Sequence, residues 1–140
     1  MNVDLILNGR AATLDVRTDE MLLEALRREE LRSVRETCAI GVCGACTVLL
    51  DGEPVSACLM LAAAVAGREI TTVEGLRGTV PIMRAFNDAH AFQCGWCTPG
   101  FILTATAIGP GEDIREALGG NLCRCGCYVK IEEAVRACVS

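Results

Sequence analysis

Residues 36–48, ETCAIGVCGACTV, hold three cysteines whose spacing decides the fold of the first half of the chain. Cys38, Cys43 and Cys46 follow the pattern Cys-x4-Cys-x2-Cys, and Cys58 comes later, after a predicted strand and hairpin. Three thiolates on one loop with a distant fourth form the plant-type ferredoxin spacing for a [2Fe–2S] cluster. The spacing therefore predicts such a cluster on these four cysteines.

Two glycines inside this loop suit the prediction. Three thiolates that wrap around a small rhombic core need a tight backbone path, which Gly41 and Gly44 allow. Their missing side chains also let backbone N–H groups approach the sulfurs. A structural zinc site is the alternative, but zinc sites favour paired Cys-x2-Cys ligands, so the iron–sulfur interpretation is preferred.

The second half carries a Cys-x2-Cys pair, Cys94 and Cys97 in QCGWCTPG, and a close run of Cys123, Cys125 and Cys127 in NLCRCGCY. On spacing alone these cysteines could form a zinc site, a redox-active dithiol or a second iron–sulfur cluster. A Cys-x-Cys pair is tight for zinc but workable at a helix start, where the dipole and free N–H groups stabilise a negative cluster. This favours iron–sulfur and leaves the other two open.

Composition limits the compartment and the classes of partner. Ten cysteines among 140 residues indicate either a disulfide framework or metal ligation. MNVDLILNGR has no signal-peptide pattern, so we expect a cytoplasmic protein with reduced thiols. The longest apolar run, ACLMLAAAVAG, is too short to span a bilayer. A net charge of −5 without a basic patch argues against nucleic-acid binding.

Turn and periodicity signals divide the chain into a mixed first half and a helical second half. The Asn8-Gly9 pair between VDLILN and ATLDV predicts a β-hairpin. A helix is expected over residues 20–31, with Thr18 or Asp19 as its cap. Further strands are predicted at CTVLL, VSACL and EITTV. After the polar stretch EGLRGTVP, helices are predicted in VPIMRAFNDAHAF, TPGFILTATAI, GEDIREALGG and VKIEEAVRACV. We therefore expect domains 1–76 and 77–140.

Three motifs, ETCAIGVCGACTV, QCGWCTPGF and GNLCRC, follow one another in this order along the chain. Together they resemble the small iron–sulfur subunit of the molybdenum hydroxylases, the family of xanthine dehydrogenase, aldehyde oxidoreductase and carbon monoxide dehydrogenase. The resemblance implies an α+β chain, with an N-terminal β-grasp ferredoxin domain and an all-α four-helix domain. Each domain is expected to hold one [2Fe–2S] cluster, and the second cluster is expected to lie closer to the molybdenum cofactor.

The resemblance also implies ligands and partners. Gln93 and Cys125 are expected near the molybdopterin. A large subunit would bind the molybdopterin and a medium subunit would bind FAD. The implied ligands are Cys38, Cys43, Cys46 and Cys58 for the first cluster, and Cys94, Cys97, Cys123 and Cys125 for the second.

The segment around Cys127 departs from the family pattern. The family reads Cys-Arg-Cys-Thr-Gly-Tyr, whereas this chain reads Cys-Arg-Cys-Gly-Cys-Tyr. We predict that Cys127 is not a ligand; the alternative is that Cys127 replaces Cys125. A cysteine adopts the positive φ of a glycine reluctantly, although Gly126 could take up the turn instead. The span from Cys97 to Cys123 is shorter than in the family by roughly two helical turns, which predicts clipped helices around IGPGED.

No catalytic triad, dinucleotide fingerprint or phosphate loop occurs in the sequence. The resemblance implies an electron-transfer subunit of an oxidoreductase, which passes electrons from the molybdopterin centre through two clusters to the flavin. A freestanding ferredoxin-like carrier is the alternative, and a zinc-binding adaptor is a third hypothesis. The substrate, the final electron acceptor, the form of the pterin and the oligomeric state do not follow from the sequence.

Overall fold

The chain begins with a β-hairpin in the computed structural model, which describes residues 1–77 and 80–139. Strands β1 (Asn2–Leu7) and β2 (Arg10–Asp15) pair antiparallel. The turn residues Asn8 and Gly9 have φ angles of 51° and 78°. Two consecutive positive φ angles define the hairpin turn that an Asn-Gly pair favours, so the hairpin prediction is confirmed.

Five strands form one mixed sheet in the order β2-β1-β5-β3-β4. The central strand β5 (Glu69–Thr71) pairs parallel with β1 and antiparallel with β3 (Thr47–Leu50). Strand β4 (Glu53–Ser56) pairs with β3 at the edge. All four residues of β3 are buried because β3 lies inside the sheet and also packs against the helical half.

Helix α1 (Leu22–Arg28) covers the sheet and is shorter than the predicted span of residues 20–31. Its cap position is Met21, which makes no side-chain cap bond, so the prediction of Thr18 or Asp19 as the cap is wrong. Met21 instead forms an isolated bridge with Leu61, and this tertiary pairing displaces the start of the helix. Glu30, with a φ of 63°, ends it.

The second half is built from four helices, as predicted. α2 (Pro81–Asp88) packs on α5 (Tyr128–Val139). α3 (Thr98–Thr106) lies against β3 of the sheet. α4 (Ile114–Ala117) is one turn long, which agrees with the clipped helices expected around IGPGED.

The two halves have separate apolar cores. The first core contains Leu22, Leu26, Val48 and Ile70 among its fully buried residues. The second is centred on Phe86, Phe101 and Ile131 and includes Cys123 and Cys127. The architecture is a β-grasp unit followed by an all-α unit, the fold class predicted from the sequence.

A short 3₁₀ helix, Val73–Leu76, lies within the predicted linker region. Val73 and Leu76 pack against the helical core. The predicted domain boundary falls after residue 76, and residues 78–79 of the linker lie outside the described residues. Within the described ranges, no helix is long and apolar enough to cross a membrane.

Candidate metal centres

The first group of thiols lies on the loop between α1 and β3. Cys38, Cys43 and Cys46 occupy this loop, and Cys58 follows β4 in a 3₁₀ helix, Ala57–Leu59. The Cys38 thiol lies within hydrogen-bonding reach of Cys43, and the Cys46 thiol within reach of Cys58. The four thiols therefore meet as two adjoining pairs, since Cys43 also acts electrostatically on Cys46.

Backbone N–H groups surround the Cys38 sulfur. The N–H groups of Ile40, Val42 and Cys43 donate to Cys38 Sγ at N···S distances of 3.5, 3.4 and 3.5 Å. These bonds lower the pKa of the Cys38 thiol to about 6. A sulfur held by several donors is stabilised as a thiolate, which is the form that binds metal.

Burial raises the pKa of Cys46, which belongs to the deeper of the two pairs. Cys46 is 3% exposed, and burial raises the pKa of its thiol to about 11. A thiolate at this depth requires a compensating positive charge, and a metal ion that coordinates a thiol deprotonates it. This pair thus suits a buried iron better than a free ionised cysteine.

Gly44 permits the close approach of the loop to the helical half. Its φ is 71°, and a Cβ built there would lie 2.4 Å from the carbonyl oxygen of Gly120. Gly41 also has a positive φ, 76°, and a Cβ there would meet the Leu59 side chain. The two positive φ angles fit the tight backbone path predicted for this loop, whereas the close contacts of the two glycines are with Gly120 and Leu59 and not with a sulfur.

The second group of thiols joins two loops of the helical half. Cys94 and Cys97 precede α3, while Cys123 and Cys125 precede α5. The thiols again meet as pairs, because Cys94 lies within hydrogen-bonding reach of Cys125 and Cys97 within reach of Cys123. Burial raises the pKa of the Cys97 thiol to about 12. The N–H of Trp96 donates to Cys94 Sγ at 3.4 Å.

Cys127 is a third thiol on the second of these loops. It is 7% exposed, and its N–H donates to Cys123 Sγ at 3.4 Å. Gly126 has a φ of 77°, whereas Cys127 is not among the positive-φ residues. Gly126 therefore takes up the turn, one of the two possibilities that the sequence left open, and Cys127 keeps an ordinary backbone. Burial, with the neighbouring Cys123, raises the pKa of the Cys127 thiol.

Gln93 lies at the exposed edge of the second group, one residue before Cys94. Its Nε2 donates to the carbonyl oxygen of Cys125 at 3.4 Å. The two residues that the sequence placed near the molybdopterin are thus in contact with each other. Cys138 is exposed in the last turn of α5, at the opposite end of this helix from the Cys123 loop.

The arrangement fits a two-iron core better than a single ion. In the part of the chain that the structure describes, no group of three or more Cys, His, Asp or Glu side chains is arranged to hold one metal ion. Pairs of thiols are nevertheless adjacent, as described above. A [2Fe–2S] cluster is bound by four thiolates, two on each iron. Two adjoining pairs of thiols therefore supply the ligands of one cluster.

The two thiol groups are joined by direct contacts of their loops. The N–H of Leu122 donates to the carbonyl oxygen of Cys43 at 2.9 Å. Asn121 is 5% exposed, and its Nδ2 donates to the Gly44 carbonyl at 3.1 Å and to Thr47 Oγ1 at 3.3 Å. Its Oδ1 accepts from Thr104 at 2.9 Å. Asn121 therefore fixes the second loop onto the first.

A second set of contacts joins the two halves of the chain beside the same loops. Arg35 donates to the Gly95 and Trp96 carbonyls, and its guanidinium lies 4.8 Å from the Trp96 ring centroid. The Trp96 Nε1 donates to Thr37 Oγ1 at 2.8 Å. Sequence reasoning singled out neither Arg35 nor Asn121 as a functional residue. Asn121 stands in the quoted GNLCRC motif, which offered a signal, whereas nothing in the pattern around Arg35 did.

Family comparisons match both halves of the chain. A model described as "2Fe-2S iron-sulfur cluster binding domain" matches residues 5–73, and one described as "[2Fe-2S] binding domain" matches residues 72–136. The two matches are consecutive and leave few residues uncovered. The chain therefore carries two [2Fe–2S] binding domains.

Relatives of the whole chain are small subunits of larger enzymes. The nicotine 6-hydroxylase small subunit of Paenarthrobacter nicotinovorans is 45% identical, over 96% of this chain and 87% of the relative. The xanthine dehydrogenase iron-sulfur-binding subunit of Escherichia coli O157:H7 is 40% identical, over 99% of this chain and 94% of the relative.

A solved structure agrees with these relatives. Quinoline 2-oxidoreductase from Pseudomonas putida 86 contains a chain that superposes with a TM-score of 0.90 at 39% identity, covering 96% of this chain and 90% of that one. Sequence and fold thus agree over almost the full length. The chain belongs to the iron–sulfur subunit family of the molybdenum hydroxylases, and it is an electron-transfer subunit of such an oxidoreductase complex.

Proposed function

We propose that this chain conducts electrons from a large molybdopterin-binding subunit to a medium FAD-binding subunit, and that the two thiol groups act in a fixed order. The second cluster is held by Cys94, Cys97, Cys123 and Cys125, and the first by Cys38, Cys43, Cys46 and Cys58. Electrons enter at the second group and leave at the first. A [2Fe–2S] cluster takes up and releases one electron at a time, so each substrate oxidation sends two electrons singly along this route.

The hydrogen bond between Leu122 and Cys43 carries the proposal. Leu122 is covalently linked to Cys123, and its N–H reaches the Cys43 carbonyl oxygen at 2.9 Å. One hydrogen bond and a few covalent bonds therefore connect a ligand of the second cluster with a ligand of the first. A continuous bonded path favours conduction between the two groups over two independent metal sites.

Two exposed apolar surfaces support a subunit over a freestanding carrier. The first surface, around the Cys38 loop, consists of Ile40, Val42, Leu59 and Leu61, with exposures between 42% and 68%. The second, around the Cys123 loop, consists of Trp96, Leu122, Tyr128 and Val129, with exposures between 44% and 77%. Clustered large apolar side chains mark binding surfaces for other proteins.

We assign each surface to the subunit that exchanges electrons with the thiol group inside that surface. The second surface faces the large subunit, beside Gln93, which reaches the Cys125 carbonyl and lies nearest the molybdopterin. The first surface faces the FAD-binding subunit. The complex works in the cytoplasm, where thiols stay reduced. Residues 1–76 and 77–140 are the two cluster-binding domains.

The order of the clusters is tested by removing one at a time from the copurified complex. Cys46→Ala removes a ligand of the first cluster, and Cys97→Ala a matched ligand of the second. The complex is mixed anaerobically with a panel of N-heteroaromatic compounds and aldehydes. These are the classes of compound that appear in the names of relatives and solved structures. Cluster reduction is followed by electron paramagnetic resonance and flavin reduction by absorbance.

The proposed order predicts different outcomes for the two variants. In Cys46→Ala, substrate still reduces the second cluster but no longer the flavin. In Cys97→Ala, substrate reduces neither the first cluster nor the flavin, while dithionite still reduces the first cluster. Flavin reduction at the wild-type rate in either variant contradicts the proposal.

A further inference from the structure

The second thiol loop carries one more cysteine than a [2Fe–2S] cluster binds. Cys127 precedes α5 and is buried in the helical core. Because Gly126 adopts the positive φ of the turn, Cys127 fits here without backbone strain. The proposed ligand set leaves its thiol unused.

The unused thiol is next to one particular ligand. Its Sγ lies within hydrogen-bonding reach of the Cys123 thiol, and the N–H of the same residue donates to Cys123 Sγ at 3.4 Å. The side chain of Gln93 contacts the Cys127 thiol as well. Cys127 therefore contacts both Gln93, at the exposed edge of the site, and Cys123, a buried ligand of the cluster.

The pairing of the thiols argues against ligation by Cys127. Cys125 lies beside Cys94, whereas Cys127 lies beside Cys123, which is already paired with Cys97. If Cys127 replaced Cys125, the iron next to Cys94 would lose its second adjacent thiolate. The geometry thus leaves Cys127 as a neighbour of a ligand.

We propose that Cys127 remains a protonated thiol and donates its S–H to the Sγ of Cys123, and that this bond raises the reduction potential of the second cluster. This rests on the proposed ligand set. A cysteine that binds no metal is protonated at neutral pH, and its S–H is a weak donor.

The direction in which the reduction potential shifts follows from the negative charge that the cluster gains on reduction. One-electron reduction adds a negative charge to the cluster, and part of it resides on the ligand sulfurs. A donor aimed at such a sulfur stabilises the reduced form more than the oxidised form, so the potential rises. The proton stays on Cys127 throughout, because only the electron is gained or lost.

The test is a redox titration of the copurified complex, monitored by electron paramagnetic resonance, on three variants. Cys127→Ala removes the donor, Cys127→Ser keeps a hydroxyl donor, and Cys138→Ala removes an exposed thiol on α5, the helix that follows Cys127. The first cluster is the internal reference. Cys127→Ala should favour oxidation of the second cluster by up to about tenfold, a shift of about 59 mV to lower potential for a one-electron couple.

Cys127→Ser should stay closer to the wild-type potential than Cys127→Ala, and Cys138→Ala should not shift it. An unchanged potential in Cys127→Ala overturns the proposal, and so does a Cys127→Ser variant that shifts as far as the alanine variant. The ligand set is checked separately with Cys125→Ala. If that variant keeps the second signal while Cys127→Ala loses it, Cys127 is a ligand and the proposed set is wrong.

Discussion

The N–H of Leu122 donates to the carbonyl oxygen of Cys43 at 2.9 Å, and this bond joins the two thiol loops. Leu122 precedes one proposed ligand, and Cys43 is itself another. The loops are held at this distance by Asn121 on one side and by the Arg35–Trp96 contact on the other. The junction between the domains is therefore also the place where the two metal centres come closest through bonds.

Replacement of Leu122 by proline should slow electron transfer between the clusters. Proline has no N–H, so the bond to Cys43 is lost. Asn121 has φ −118° and ψ 128°, a conformation that a residue before proline favours. The proline ring stands where the N–H stood, so it also pushes the Cys43 carbonyl oxygen away. Leu122→Ala keeps the N–H and is the matched control.

The rate at which the first cluster is reduced, after rapid mixing of the complex with substrate, measures this effect. Both resonance signals should remain in both variants. Equal rates for Leu122→Pro and Leu122→Ala, with both clusters present, would show that the route between the clusters does not depend on this bond.

Asn121→Ala should destabilise the junction by about 1–3 kcal/mol, because it leaves the buried Thr104 hydroxyl without a partner, whereas the Gly44 carbonyl keeps its bonds from Thr47. The measurement is the thermal unfolding midpoint of the reconstituted subunit complex. Asn87→Ala makes the same chemical change at an exposed position of α2 and should have little effect. If the two variants have the same unfolding midpoint, this prediction is wrong.

Gly100→Ala should force the halves apart. A Cβ at Gly100 would lie 2.3 Å from the Gly44 carbonyl oxygen, which belongs to backbone and cannot rotate away. Overpacking of this kind costs about 1–3 kcal/mol. In Gly119→Ala, the added methyl group meets nothing within 4 Å. Hydrogen exchange should show faster opening of residues 43–47 only in the Gly100 variant, and unchanged exchange there contradicts the packing argument.

Removal of iron should loosen both thiol loops before it loosens the β1–β2 hairpin. The loops are held by ligation and by N–H···S bonds such as that from Val42 to Cys38, whereas β1 and β2 are held by their own ladder. Metal-binding energy is folding energy for such loops. After anaerobic chelation, hydrogen exchange should accelerate at residues 36–48 and 121–127 first. Uniform acceleration over the chain would contradict this order.

Local signals in the sequence were sufficient for some elements and insufficient for others. The Asn8–Gly9 turn was predictable because two adjacent positive φ angles are a local property. The start of α1 was mispredicted because Met21 pairs with Leu61, forty residues away. The role of Arg35 was also invisible, since its partner Trp96 lies on the other half of the chain.

The candidate site shows the same division. Cysteine spacing indicated the three-cysteine loop of the first group, because spacing within one loop is a local property. The second group was ambiguous on spacing, and its four cysteines were assigned by the family resemblance. The pairing of Cys94 with Cys125, rather than with Cys97, depends on how α3 and α5 bring two loops together. Such pairing follows from tertiary packing, which spacing does not encode.

The central claim is that this chain holds two [2Fe–2S] clusters and works beside a molybdenum subunit. Electron paramagnetic resonance of the dithionite-reduced complex, purified anaerobically with iron and molybdenum analysis, tests it most directly. The account predicts two distinguishable [2Fe–2S] signals, about four irons per chain and copurifying molybdenum. A single signal with about two irons per chain, or a complex without molybdenum, would contradict it.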